Sequence, residues 1–436
     1  MVIIKRFPQM FKSFFEQIST ILKETPENYH HLWRLVLTLA SLEGRFSLSE
    51  AVAKNNYWRT RQSVVHFLEN QKWNEKELLA RTAITPLRRL GWRTGQPLIL
   101  VVDDTQIQKR GKKMEGVSKL FLHSEKRFSN GHALVAASIV YKGIAIPFAL
   151  RIWVNQETCE DLNQQGNSVL FRKMTELASD CIKSFDIKSS KVTVVFDRYY
   201  LCQTVISTCE EKGFYYAAAV KSNRYIKSTV YSQRKYKVGS YAREYLNRNG
   251  SNFKILGTSR KYRIAEKVCY LVKVGRVKVV FSRRLGDREI ITLATNDVDC
   301  SAKEIVEVYR NRWTIEVLFK SAKQQLGLGD YQFLKLRAVE RYLHLVILSH
   351  IFLTHLAYKE SNEKESKKAK NLISIAGVKE TKLLLRNILL LDAFDRIKIS
   401  GCEPTISGIV KIIKRKALAL FCENRKLDNA RKNIFC

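Results

Sequence analysis

The spacing of apolar residues divides the chain into stretches of different period. Through residues 1–95 apolar positions recur at helical spacing and few stretches alternate. From 97 the period changes. PLILVVDD (97–104) is an apolar strand ending in two acids, and GHALVAASIVYKGIAIPFAL (131–150) reads as a hairpin turning at Tyr141-Lys142-Gly143. A helix is expected over about 165–185, a strand at KVTVVFD (191–197), a helix at LCQTVISTCEEKG (201–213) and a strand at FYYAAAV (214–220). Residues 221–300 then alternate, as in EKVCYLVKVGRVKVVFSRR (266–284), which predicts antiparallel strands. A helix begins at SAKEIVEVYRNRW (301–313). LVILSHIFLTHLA (345–357) reads as a buried helix, too short to span a bilayer.

The order β-β-β-α-β-α-β is that of a ribonuclease H-like α/β domain, and the helix from 301 is its next element. The fold class expected is therefore an α/β ribonuclease H-like core interrupted by a β-strand insertion, with an all-helical N-terminal domain and a helical C-terminal region. The divisions fall at 1–95, 96–220, 221–300, 301–357 and 358–436, the last opening on a charged linker, YKESNEKESKKAK (358–370). In the first of them, SLSEAVAKNNYWRTRQSVVHFLENQKW (47–73) reads as two short helices around a polar joint. The second, Thr60 to Leu68, carries Arg59, Arg61, Gln62 and Ser63 near its start. A recognition helix places its base and phosphate contacts there, although an ordinary basic helix of a bundle fits the same pattern.

A length of 436 residues exceeds one ordinary core, so two or three domains are expected. Charge narrows the function. Against 41 Asp and Glu stand 76 Lys and Arg, a net +35 spread over the whole length. A folded protein so basic needs a polyanion, and the even spread suits a long DNA footprint better than a ribosomal or membrane-surface role. The 221–300 stretch alone holds 19 Lys and Arg against 6 Asp and Glu, or +13, as a DNA-contacting lobe would. Nine cysteines without a C-x-x-C pair form neither a disulfide framework nor a zinc site, which suits reduced thiols in a cytoplasmic protein. In MVIIKRFPQMFKSFFEQ charges interrupt the apolar run too early for a signal peptide.

The candidate chemistry is acidic. Asp103 and Asp104 close one apolar strand and Asp197 another, and Glu316 lies on the helix expected beside them. Singly, each has a bland explanation: a turn former, a helix N-cap, or an i,i+4 partner of Lys320. Together they suit a two-metal site, which needs hard oxygen ligands that converge. At roughly 100° per residue, Tyr309, Arg312, Glu316, Lys320 and Lys323 share one helix face. Ile315, Leu318, Phe319, Ala322 and Leu326 share the neighbouring face, which packs on the sheet.

Here the chain resembles bacterial insertion-sequence DDE transposases of the insertion sequence four group, whose signature is Y-x2-R-x3-E-x6-K. Tyr309, Arg312, Glu316 and Lys323 match its spacing, with Trp313 and Gly327 fitting the same stretch. Asp103-Asp104-Thr105 matches the D-x-T form of the first acid, and Asp197-Arg198-Tyr199-Tyr200 the D-R-x-Y form of the second. The resemblance covers about 97–330. It implies a ribonuclease H-like core, Asp103, Asp197 and Glu316 as catalytic metal ligands, two Mg2+ with Mn2+ as substitute, and action on inverted terminal repeats. The D-x-T form favours Asp103, with Asp104 the fallback, left to cap the following turn or orient Thr105. Tyr309, Arg312, Lys320 and Lys323 then become DNA-binding residues.

The implied activity is metal-dependent cleavage and strand transfer on double-stranded DNA, at transposon ends and target, by a dimer in the synaptic complex. The setting is bacterial cytoplasm beside the nucleoid, without a membrane. Some relatives hold a flipped base with a Trp of the insert, which here has none; Tyr225, Tyr231, Tyr236 or Tyr241 could stack instead. Two alternatives stand beside this reading: a ribonuclease H-like nuclease or resolvase that cuts without joining, and a catalytically silent DNA-binding derivative.

Overall fold

The computed structural model describes residues 14–16, 18, 26–42, 44, 46–49, 52, 60–111, 113–122, 125–254, 261–357, 377–387 and 389. The strands in chain order are β1 (Leu98–Gln108), β2 (Ser118–Leu122), β3 (Arg127–Tyr141), β4 (Ile144–Trp153), β5 (Val192–Phe196) and β6 (Tyr215–Ala219). They continue with β7 (Tyr225–Lys227), β8 (Tyr236–Lys237), β9 (Ser251–Lys254), β10 (Lys261–Leu271), β11 (Gly275–Arg284) and β12 (Ile291–Thr295). The helices are α1 (Pro26–Ser41), α2 (Arg61–Glu69), α3 (Glu75–Thr82), α4 (Ile84–Arg89), α5 (Gln156–Gln164) and α6 (Met174–Lys183). After them come α7 (Gln203–Glu211), α8 (Val238–Asn249), α9 (Ala302–Arg310), α10 (Trp313–Gln325) and α11 (Leu336–Ala357).

All the strands join one sheet in the order β2-β3-β1-β5-β6-β12-β11-β10-β7-β8, with β4 also on β3 and β9 on β10. β1, β5 and β6 are parallel, and the neighbours on either side are antiparallel. The β3–β4 hairpin turns where the sequence predicts. Lys142 and Gly143 both take positive φ, 51° and 78°, the turn conformation whose twist matches that of paired strands.

Three features differ from the expectations. β2 is an edge strand too short and too polar in its surroundings to be seen from periodicity. The strands of 221–300 do not stand apart, because Leu293 of β12 pairs with Ala219 of β6 and extends the central sheet. That stretch also contains α8, whose apolar positions Val238, Ala242 and Leu246 are buried at helical spacing among otherwise polar residues.

Each face of the sheet has its own core. Val101, Ile107, Leu134 and Ala136 belong to the core under α10 and α11, behind which α1 packs, and Val102, Val135 and Ala137 belong to the core under α6 and α7. α11 is buried along nearly its whole length, as its apolar run predicts. Its Arg341 is fully buried, donates to the carbonyls of Leu68 (2.9 Å) and Trp73 (3.1 Å), and stacks on the Trp73 ring. This ties α2 to the core. α2 starts at the expected place, with Thr60 Oγ1 accepting from the Ser63 amide at 3.2 Å. Arg59, expected near the start of α2, and most of the helix expected before it lie outside the described residues, as do the 358–370 linker and most of the C-terminal region. Among the described residues no helix is long and apolar enough to cross a membrane.

Candidate active site

The site begins with strand register. β1 and β5 are paired from Leu98↔Val192 to Val102↔Phe196, so Asp103 and Asp197 are the next residues on two adjacent parallel strands. Asp103 does not end its strand as expected. β1 runs on to Gln108 because β3 is long enough to pair with it as far as Gly131. A Cβ on Gly131 would sit 2.2 Å from the Ile107 carbonyl oxygen, so only glycine permits this close crossing.

Alternation then separates the two candidate first acids. Asp103 lies on the face covered by α10, where its Oδ2 accepts from Arg312 Nη1 at 2.9 Å. Its Oδ1 accepts from the Asp104 amide at 2.9 Å. Asp104 turns to the opposite face and accepts from the Tyr200 hydroxyl at 2.9 Å. Tyr200, fully buried two residues past the Asp197-Arg198 pair, thus holds Asp104 from the face opposite Asp103.

Glu316 lies on a helix beside β1, and that helix differs from the expectation in one respect. Tyr309 to Lys323 do not lie on one continuous helix. α9 ends at Arg310 and α10 starts at Trp313, with the Thr314 hydroxyl bonding the Asn311 carbonyl (2.7 Å) at the joint. The break bends the chain without dispersing the group. Arg312 pairs through its other nitrogen with Glu316, so one guanidinium bridges Asp103 and Glu316. Ile315, Leu318, Phe319, Ala322 and Leu326 are buried against the sheet, as their periodicity predicts. Lys323 Nζ reaches the Gln106 carbonyl of β1 at 2.8 Å, and Lys320, one turn earlier, is exposed. Trp313, beside Arg312, is 63% exposed.

The electrostatics are those of a carboxylate cluster short of positive charge. Burial pushes the Asp103 carboxyl up to about 7; Arg312 pulls it down, and Asp104 and Glu316 push it further up. For Arg312, burial opposes the charge, but Tyr309, Asp103 and Glu316 together outweigh it and raise its pKa. Burial lifts the Tyr309 phenol to about 12, with Arg312 opposing and Asp197 adding, which places Tyr309 among Asp197, Arg312 and the α10 start. Asp197 itself is more open, its Oδ1 lying 3.7 Å from Arg198 Nε. Among the described residues no three acidic, His or Cys side chains stand close enough to share a cation, and Arg312 lies between two of the acids instead. Carboxylate oxygens are nevertheless the donors that Mg2+ prefers, and an Asp103 neutralised only in part by Arg312 fits such an ion chemically.

Strand order β4-β3-β1-β5-β6, helices on both faces, and acids at successive register positions of two adjacent parallel strands define a mixed α/β protein of the DDE, ribonuclease H-like endonuclease kind. The family model described as "DDE superfamily endonuclease" matches residues 31–250, half the chain, and the protein belongs to that family. A second model, "Transposase DDE domain", matches residues 172–352. Together the two spans hold Asp103, Asp197 and Glu316. The chain is similar to the "Probable transposase for insertion sequence element IS701" of Microchaete diplosiphon, 23% identical over 62% of this chain and 68% of the relative. It is also similar to the "Putative transposase y4zB" of Sinorhizobium fredii, 27% identical over 35% of this chain and 43% of the relative.

Proposed function

We propose that the protein is an insertion-sequence transposase of the Y-R-E-K signature group. It binds the inverted terminal repeats of its element and carries out metal-dependent DNA cleavage and strand transfer. The observation that carries this reading is the Arg312 bridge, which gathers Asp103, Glu316 and Tyr309 at the middle of β1, beside the strand position of Asp197. The divisions 1–95, 96–220, 221–300, 301–357 and 358–436, the synaptic dimer and association with the nucleoid are proposed with it.

Asp103, Asp197 and Glu316 would hold two Mg2+, or Mn2+ in their place. When bound, such ions supply a Lewis acid that lowers the pKa of water or a 3′-hydroxyl and neutralises the charge gathering on phosphate. The chain's own residues do the rest. Arg312, freed from the two carboxylates, offers a planar fork to a phosphate, a geometry that Lys cannot match. Tyr309, kept a phenol by burial, donates a hydrogen bond near the cut. Lys323, steadied on the Gln106 carbonyl, and exposed Lys320 hold the flanking backbone as point charges. Asp104, fixed on Tyr200, supports β1 from behind.

The test is cleavage and joining of a duplex carrying the element's end. Asp197→Asn and Glu316→Gln each remove a ligand charge and keep the shape, so both reactions are lost while end binding stays. Joining at the wild-type rate by either variant removes that residue from the site. Cleavage without joining by the wild-type protein favours the nuclease or resolvase alternative.

A further inference from the structure

We infer that the β2–β3 hairpin is a DNA-distorting wedge, in which Phe121 and Phe128 stack on bases unstacked along the duplex that leaves the active site. The inference rests on the DNA-processing reading above but uses none of its catalytic residues. Phe121 and Phe128 are cross-strand partners with ring centroids 5.2 Å apart in edge-to-face contact. They are nonetheless 38% and 60% exposed, on an edge hairpin where water-facing phenylalanines stabilise the fold little. Register places them. Phe128, Asn130, His132, Leu134 and Ala136 alternate onto one face of β3, and Ala136 is opposite Asp103. The aromatic pair therefore shares the sheet face of Asp103, and its hairpin projects beyond Gln108, the C-terminal end of β1. Eight residues at a rise of roughly 3.3 Å give ~26 Å, the length of about eight base steps at ~3.4 Å each.

Charge identifies the occupant. Residues 109–128 hold seven Lys and Arg against two Glu. Glu125 is taken by Arg127 (Nε, 2.7 Å) and by Gln108 (2.6 Å), which clamps the tip to the end of β1. Lys119 lies 5.1 Å from the centre of the Phe128 ring, and Arg110, Lys113 and Lys126 of the same stretch are exposed. Exposed aromatic faces set among cations fit nucleic acid, where phosphates meet the charge and bases meet the rings. Gln106 Nε2, bonded to the Phe121 carbonyl (3.3 Å), and the Gly131 crossing fix the hairpin to β1, so a wedge there is rigid. Apolar side chains wedged between base steps kink a duplex, and the cost falls where bases are already unpaired.

The experiment compares binding, at one salt concentration, to a perfect duplex and to the same duplex with a short mismatch bubble. The full-length protein should prefer the bubble by on the order of tenfold, as stacking of one base on an aromatic ring allows. Phe121→Ala/Phe128→Ala should lose that preference while keeping perfect-duplex affinity and melting temperature. Phe128→Tyr should retain it and Phe128→Leu should not, which separates stacking from apolar bulk. No bubble preference in the wild type, or full preference in the double Ala variant, overturns the inference. Loss of self-association in sedimentation, with DNA preference unchanged, overturns it in favour of a protein interface. Absence of any duplex binding would instead strike at the DNA-processing reading itself.

Discussion

At Asp103 burial, Asp104 and Glu316 oppose the ionised carboxyl, while Arg312 and the Asp104 amide favour it. Folding thus raises the pKa to about 7 from an ordinary carboxyl value near 4. A raised acid contributes its stability in full below the unfolded pKa and loses it as pH rises through the folded one. In metal-free protein, the stability of Asp103→Asn relative to wild type should therefore grow from pH ~4 to ~7 and level off above, by a few kcal/mol at most. Urea unfolding across that range checks it, and a difference that does not vary contradicts the electrostatic account. The two adjacent acids should also separate functionally. Asp103→Ala abolishes cleavage with end binding kept. Asp104→Ala, which frees the Tyr200 hydroxyl but keeps the Asp104 amide on Asp103, weakens cleavage roughly 10–100-fold, as loss of a supporting contact does. An inactive Asp104→Ala beside an active Asp103→Ala reverses the assignment. That one acid faces away from the other was legible from strand alternation alone. That Tyr200 would hold Asp104 was not, since the partner comes from another strand's end.

Among the elements, those whose burial is periodic were legible and those set by distant contacts were not. The apolar side of α10 and the Lys142-Gly143 turn follow from local pattern. The pattern predicts that β1 ends at its acids, because Thr105-Gln106-Ile107-Gln108 carries too little apolar signal, yet pairing with β3 carries it on. The break between α9 and α10 escaped a constant helical angle, because Asn311 and Arg312 are compatible with either course. Arg341 reads as an oddity in an apolar helix, and its partners lie in a segment far away in the chain. There it satisfies the last carbonyls of α2 and pairs with Glu75 at 3.3 Å. Removing one partner of such a buried network is costly, so Arg341→Met should destabilise the protein by about 3–5 kcal/mol. Calorimetry or urea unfolding reads this directly, and a loss below about 1 kcal/mol would show that α2 is held by apolar packing alone.

For the whole molecule, charge dominates. Binding to linear duplex should weaken steeply with salt, since each neutralised phosphate adds roughly 0.9 to the logarithmic slope. Because β12 is paired to β6, the basic 221–300 stretch cannot be excised without exposing the central sheet, so its share is better measured by neutralisation. Replacing exposed Lys261, Lys273, Arg276 and Arg284 by Gln should lower the slope by up to about 3–4 if all four meet phosphates. An unchanged slope removes that surface from the DNA path. The central claim, that the acids gathered by Arg312 are metal ligands for phosphodiester chemistry, is tested most directly by Asp103→Cys in the full-length protein. Thiolate favours softer ions, so end cleavage should be lost in Mg2+ and restored in Mn2+, with DNA binding equal in both. Full cleavage by Asp103→Cys in Mg2+, or the Mn2+ rescue appearing in Asp104→Cys instead, would contradict it.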